Sequence, residues 1–255
     1  MWTLDSEAAL PLWRAASPHA PAVLASSTRR GGVSDAPYHA LNLGRSTADR
    51  PAAVAENRRR MLGALDLDPA RLATAGQVHG ARVVRVENAG HVPDCDALLT
   101  TRSGLALAVT TADCMPLLFS APGGVAVAHA GWRGTREGIA VATLTALCES
   151  ARVSPAAVTV HIGPCIRVEC YEVGPEVAEV FPSAAVRSDF PRPHLDLPRA
   201  VRDQLEAAGV PAPAIHDCGA CTACEPERYF SYRRDGPASG RHWSVAALRS
   251  EVRER

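Results

Sequence analysis

The stretch TTADCMPLLFSAPGGVAVAHAGWRG, Thr110 to Gly134, sets Cys114 just ahead of one apolar run and His129 at the end of the next. Short apolar runs bounded by Gly and Pro form buried strands, so a thiol and an imidazole stand at matching ends of two core strands. Upstream, Gln77-Val78-His79-Gly80 puts a second imidazole before a strand, among Gly and polar residues. Two imidazoles and a thiolate make a zinc site with an open fourth position, the arrangement of a catalytic centre. The same set suits a Cys nucleophile activated by His. All three residues lie far apart in sequence, and spacing alone does not choose between the two chemistries.

The neighbours add detail. Asp113 precedes Cys114, and Asp94 and Asp96 flank Cys95; a carboxylate nearby can orient a ligand imidazole through its other nitrogen. After His129 comes Ala-Gly-Trp-Arg-Gly, with a helix expected from Thr135. A strand, a Gly-containing turn and a helix N-terminus form a ready anion site with Arg133 beside it. The plainer reading is that Gly131 and Gly134 make a tight turn while Trp132 packs. Every basic residue is Arg and none is Lys. That excludes a Schiff-base lysine, a Walker-type phosphate loop and a catalytic lysine base. Any anion must be held by Arg, backbone N–H groups or a metal.

Eight cysteines remain to be placed: Cys95, Cys114, Cys148, Cys165, Cys170, Cys218, Cys221 and Cys224. In a reducing cytosol metal binding, catalysis or burial is the expectation rather than pairing. Cys148, within TLTALCESA, reads as core. Cys165, in IGPCI, either approaches the site or packs. Cys218, Cys221 and Cys224 are spaced as in iron–sulfur runs but lack the fourth thiol. His216 could complete a zinc set with them, though such close spacing strains the geometry. Reduced, partly buried thiols are the expectation there.

Elements must position these groups. Strands are predicted at Ala22–Ser27, Val83–Glu87, Ala97–Thr100, Leu105–Thr110, Pro116–Ser120, Val125–His129 and Val158–Ile162. A helix is predicted from Asp49 as N-cap, with Pro51 in its first turn, to Leu65. Another runs from Thr135 to Ser150, and a third opens at Asp196 and ends at Gly209. The polar segment TRRGGVSDAPYHALNLG has loop chemistry throughout. Strands outnumber helices and the two interleave irregularly. This predicts α+β, one domain over residues 1–255, with a mixed sheet or two packed sheets. With 255 residues, 47% hydrophobic and 21% charged, a sizeable core is available. A formal net charge of zero and no long basic stretch argue against nucleic acid as partner. Met1–Leu10 carries Asp5 and Glu7 but no Arg, unlike a signal peptide. No run of about 18 apolar residues occurs, so no membrane span is expected. Together these predict a cytoplasmic protein.

The motifs TRRGGVS, LNLG, QVHG, DCDALLT, TADCMPLLF, AHAGWRGT, IGPCI, CYEVG and SYRRDG followed by GR resemble those of the YfiH family. That family is also called the purine nucleoside phosphorylase, laccase-domain or multicopper polyphenol oxidoreductase family. The match runs from Thr28 to about Arg241. It implies one domain of two packed mixed β-sheets flanked by helices, similar to the CNF/YfiH-like cysteine hydrolase fold of deamidating bacterial toxins. It also implies that His79, Cys114 and His129 are the zinc-binding and catalytic residues. The implied reactions are phosphorolysis of adenosine, inosine, guanosine and methylthioadenosine, and deamination of adenosine, with purine nucleosides and phosphate as partners. Water on zinc has a lowered pKa and can attack C6 of adenine, whereas phosphorolysis needs an anion held near C1′ of the ribose. Arg29, Asn42, Arg133 and Arg233 are candidates for substrate and phosphate contacts. The resemblance also matches Cys221 and Cys224 to a Cys-Thr-x-Cys element, to which Cys218 is an addition. The family's older activity, copper-dependent polyphenol oxidation, is an alternative; the nine His residues contain no His-x-His pair, and copper binds nitrogen and sulfur sites adventitiously. Two further alternatives are a metal-free Cys/His amide hydrolase acting in peptidoglycan precursor editing and a non-enzymatic zinc module, which would need a fourth protein ligand.

Overall fold

The apolar runs are strands, and their period of two decides how the layers stack. The computed structural model describes residues 1–19 and 22–249. In chain order, β1 (Trp2–Leu4), β2 (Leu12–Ala15) and β3 (Ala22–Ser27) lead to α1 (Pro51–Ala64). Next come β4 (Leu72–Ala75), β5 (Val83–Arg85), β6 (Gly90–Val92), β7 (Ala97–Thr100), β8 (Ala106–Thr111), β9 (Met115–Ala121) and β10 (Gly124–Ala130). α2 (Trp132–Arg136), α3 (Ile139–Ala151), β11 (Thr159–Ile162), α4 (Pro175–Ala178), β12 (Val186–Arg187) and β13 (His194–Leu195) follow. α5 (Leu197–Ala207), β14 (Ile215–Asp217), α6 (Tyr232–Asp235) and β15 (His242–Leu248) complete the order.

Two large mixed sheets result, as expected. The first runs β1-β2-β3-β15-β8-β4-β6 and the second β14-β11-β9-β10-β7-β5. β8 shows how one run serves two faces. Leu107 and Val109 meet Leu98, Leu118, Val125 and Val127 of the second sheet. Ala106 and Ala108 turn to the other side, against Met61, Leu62 and Leu65 of the α1 segment. On the far face of the second sheet, Leu117, Phe119, Ala126 and Ala128 pack on Ile139, Leu144 and Leu147 of α3 and on Val201 and Leu205 of α5. The layers are therefore helix, sheet, sheet, helix. Strands covered on both faces read as continuous apolar runs rather than alternating ones.

Local readings differ in instructive places. Arg50, not Asp49, is the N-cap of α1, and no side chain caps that helix. The Asp49 carboxylate instead accepts from Ser34 Oγ (2.6 Å) and Asn42 Nδ2 (2.9 Å). Thr135 lies inside the one-turn helix α2, and the long helix begins only after Gly138, whose φ of 82° breaks the run. Asp196 caps α5 as expected, accepting from Arg199 N at 3.0 Å. Sequence reading assigned no strand to His242–Leu248, yet β15 is central, pairing antiparallel with β3 and β8.

Candidate active site

Strand register brings the chemistry together. β10 pairs antiparallel with β7 so that Ala128 faces Ala97, which sets His129 beside Asp96; His129 N donates to Asp96 O at 2.8 Å. β10 also pairs with β9, with Ala130 opposite Met115. Cys114 and Gly131 thus leave the same end of that hairpin. Cys114 sits on the crossing between the sheets, since β8 belongs to the first and β9 to the second. His79 lies in the loop between β4 and β5.

That loop is held by a buried carboxylate. Gln77 and His79 have φ of 56° and 63°, a left-handed backbone that costs non-glycine residues about 1–3 kcal/mol. It turns three successive N–H groups inward as an anion nest. Val78 N, His79 N and Gly80 N donate to Asp96 at 3.0, 3.0 and 2.9 Å. Gln77 braces the other flank, its side chain donating to Thr110 O (2.6 Å) and accepting from Thr110 N (2.8 Å). Asp96 lies 2.8 Å from His129 Nδ1 as well. A carboxylate there makes Nδ1 the donor and turns Nε2 toward the site. Among the acidic neighbours weighed from the sequence, Asp96 is the one that performs this orientation.

Donor atoms of His79, Cys114 and His129 all lie within 4.8 Å of one another, and the two rings meet edge to face with centroids 4.7 Å apart. Burial pushes the Cys114 thiol up, but the imidazoles of His129 and His79 outweigh it and bring it down to about 6. Burial pushes His129 down, while the Cys114 thiolate and Asp96 overcome this and raise it to about 9. Without a bound cation the coupling favours a thiolate beside an imidazolium, and a cation at the three donors would take the place of the His129 Nε2 proton. A Cβ built on Gly131 would stand 3.1 Å from both Cys114 Sγ and His79 Nδ1, so the glycine of the turn leaves room for the donor set. Two imidazole nitrogens and one sulfur, converging and open on one side, fit a tetrahedral cation with one exchangeable position.

The open side is a cavity of about 770 Å³, lined by the three donors and by Arg45, Arg58, Tyr171, Tyr232, Arg233 and Arg241, among others. Of the four proposed substrate contacts, only Arg233 lines it. Its N–H donates to Asp113 at 2.6 Å and its guanidinium to Glu172 O at 2.8 Å. Arg29 lines a separate hollow with His39 and Glu227, and its guanidinium donates to the carbonyls of His39 and Pro226. Asn42 is fully buried and binds Thr47, Asp49, Gly44 N and Arg241 N, so it sets the position of Arg241 from behind. Arg133 is exposed and stacks over its neighbour Trp132 at 4.7 Å.

Sequence reasoning missed Arg45, Arg58 and Arg241. Burial and then the charge of Arg45 lower the Arg58 guanidinium to about 9. Neither forms an ion pair among the described residues, and two guanidinium groups facing one hollow favour an anion between them. The sequence signal available was LNLGR, which carries Arg45 directly after the matched motif. Among the cysteines, Cys148 packs in the core as read, and of the two readings of Cys165 the packed one holds. Cys221 and Cys224 are joined by Cys170, not by Cys218 or His216.

The family described as multi-copper polyphenol oxidoreductase laccase matches residues 23–249. A purine nucleoside phosphorylase of Deinococcus radiodurans is 41% identical, over 94% of this chain and 93% of that protein. The purine nucleoside phosphorylase YlmD of Geobacillus stearothermophilus is 37% identical, over 92% and 93%. The crystal structure of that YlmD superposes with a TM-score of 0.90 over 98% of this chain and 99% of the other, at 35% identity. A Bacillus licheniformis hypothetical protein YfiH gives 0.90 over 96% and 99%, at 30% identity.

Proposed function

Because the chain belongs to the family described as multi-copper polyphenol oxidoreductase laccase, with relatives named purine nucleoside phosphorylases, we propose that it is a zinc-dependent purine nucleoside phosphorylase. Adenosine, inosine, guanosine and methylthioadenosine are the proposed nucleosides, with adenosine deamination in the same cavity. The observation that carries the reading is the His79–Cys114–His129 donor set at the wall of an arginine-rich cavity. Its volume of about 770 Å³ suits a nucleoside and an anion together.

In phosphorolysis a phosphate oxygen bonds to C1′ as the bond from C1′ to purine nitrogen breaks, and the base leaves with the electron pair. Arg45 and Arg58 would hold the phosphate, with Arg241 and Arg233 nearby; fixed guanidinium groups suit an anion whose charge shifts during the reaction. Tyr232, 51% exposed at the cavity, offers a face for the purine. Asp96 keeps the His129 Nδ1 proton in place and so leaves Nε2 for the donor set. Zinc held by His79, Cys114 and His129 would supply Lewis acidity at one open position.

A second reading has its own support. Cys114, His129 and Asp96 form a thiolate–imidazole–carboxylate series of the kind that attacks amides, as the toxin-like hydrolase alternative requires. Copper-dependent polyphenol oxidation has less behind it. Two imidazoles and one thiolate fall short of the many imidazoles a multicopper cluster gathers.

Cys114→Asp separates the leading pair. A carboxylate can still ligate zinc at similar distance but replaces an attacking thiolate poorly. Zinc content and nucleoside turnover, with and without phosphate, are measured in one preparation. Retained zinc with measurable phosphate-dependent turnover is expected. Full zinc occupancy with no turnover would move the assignment to the hydrolase.

A further inference from the structure

Outside the cavity set, one other group of donors converges among the described residues. The Sγ atoms of Cys170, Cys221 and Cys224 lie within 4.8 Å of one another, with Cys170 and Cys224 at 3.1 Å. They come from two strips of chain laid side by side. Cys165 bridges Cys221 in parallel, Thr222 N donates to Cys165 O at 3.0 Å, and a turn closed by Cys170 N on Arg167 O brings the third thiol back. Cys221-Thr-Ala-Cys224 is itself a tight turn.

We propose that Cys170, Cys221 and Cys224 form a second metal site, binding one thiophilic d10 cation, zinc or cuprous copper. Three features carry this. First, three sulfurs from two separate strips of chain, all within 4.8 Å of one another, match the donor spacing around a single tetrahedral cation. Second, the sulfurs are free thiols, with Cys170 and Cys224 at 3.1 Å, and a disulfide would use two of them and leave the third idle. Third, the set is accessible: Cys224 is exposed and Cys170 half-buried, so a cation can enter and the remaining position faces solvent. Packing alone gives no reason to gather three thiols at a surface.

Three thiolates select soft cations over magnesium or calcium. As each S–metal bond forms, its thiol proton passes to solvent, and no electron changes hands. Arg234, paired with Asp235, donates to Thr222 O and Ala223 O and so holds the turn that carries two of the thiols. The site shares no donor with His79, Cys114 and His129 and does not depend on the nucleoside reading. It does tie together the strips that carry Ile166, Tyr171 and Arg233 to the cavity wall.

The full chain, reduced and stripped with a chelator, is titrated with zinc and, separately, with cuprous ion kept reduced. Alkylation of Cys224 is followed by peptide mass spectrometry, and bound equivalents by native mass spectrometry. In the unaltered chain the favoured cation should slow Cys224 alkylation at least tenfold. The doubly substituted chain, Cys170→Ser with Cys224→Ser, should bind one equivalent fewer. Protection by zinc alone or by cuprous ion alone names the cation. Unchanged alkylation with both ions overturns the site, and so does an equal metal count in the doubly substituted chain. The protection experiment needs no variant, so a folding defect cannot mask it.

Discussion

Replacing Asp96 by Asn tests how the site is held. The two carboxylate oxygens together serve four groups: Oδ2 takes Val78 N and Gly80 N, and Oδ1 takes His79 N and His129 Nδ1. Asn keeps the shape but has one oxygen and one NH₂. If the oxygen stays with His79 N and His129, the NH₂ confronts two N–H donors of the nest. If it flips, the NH₂ confronts His79 N and can only donate to His129 Nδ1, which forces the proton to Nε2 and removes that atom from the donor set. The first arrangement turns two donor contacts unfavourable and the second turns one, at about 1–3 kcal/mol for each unsatisfied group, or ~1–6 kcal/mol in all. Loss of an orienting partner also weakens metal binding by roughly 10–100-fold. Urea unfolding gives the first quantity, and competition against a chelator of known affinity gives the second. Unfolding free energy within about 0.5 kcal/mol of the unaltered chain, together with unchanged metal affinity, would refute the reasoning. A stability loss with normal affinity would confine Asp96 to holding the loop.

Gly131→Ala places a Cβ 3.1 Å from Cys114 Sγ and His79 Nδ1, while the backbone there (φ −79°) accepts alanine; metal affinity should fall about tenfold with little change in stability, since metal bonds tolerate about 0.2 Å. Equal affinity by chelator competition would show that the donors are set further apart. Arg45→Ala, at an exposed residue on the cavity wall, should raise the Michaelis constant for phosphate about tenfold while stability stays within about 0.5 kcal/mol; an unchanged constant would return the anion to Arg233 or Arg241. His161 is fully buried with both ring nitrogens unpartnered, and burial, then the charge of His216, depress it from 6.5 to about 3. Burial likewise holds His242 at about 3. Each stays neutral in the folded chain while its unfolded counterpart takes up a proton, so stability present above pH 6.5 is lost as pH falls toward 3. The loss is about 2.5 kcal/mol per residue by about pH 4.5. Urea melts at the two pH values should show it, and His161→Phe should remove about half; an equal slope in the variant would show that other groups carry the acid sensitivity.

What the sequence by itself determined is residue chemistry and local conformation. The bounds of β3 and β7 were readable to the residue because apolar runs between Gly, Pro and polar residues have few alternatives. The types of His79, Cys114 and His129 already limited the chemistry to a cation or a thiolate nucleophile. Tertiary structure decided which groups share a site. Asp94, Asp96 and Asp113 are equivalent as neighbours in sequence; only the β10–β7 register sets Asp96 against His129, and a slip of one residue would turn it to the opposite face. The cysteines behave alike. Cys218 fits a spacing pattern with Cys221 and Cys224, yet Cys170, more than fifty residues from Cys224, is the thiol that reaches them. Arg29, Asn42 and Arg133 sit in motifs that looked substrate-facing, while Arg45, Arg58 and Arg241 line the cavity. Local propensity acts over a few residues. Which distant strands pair, and in what register, depends on burial summed over whole sheets, and that sum exists only in the folded chain.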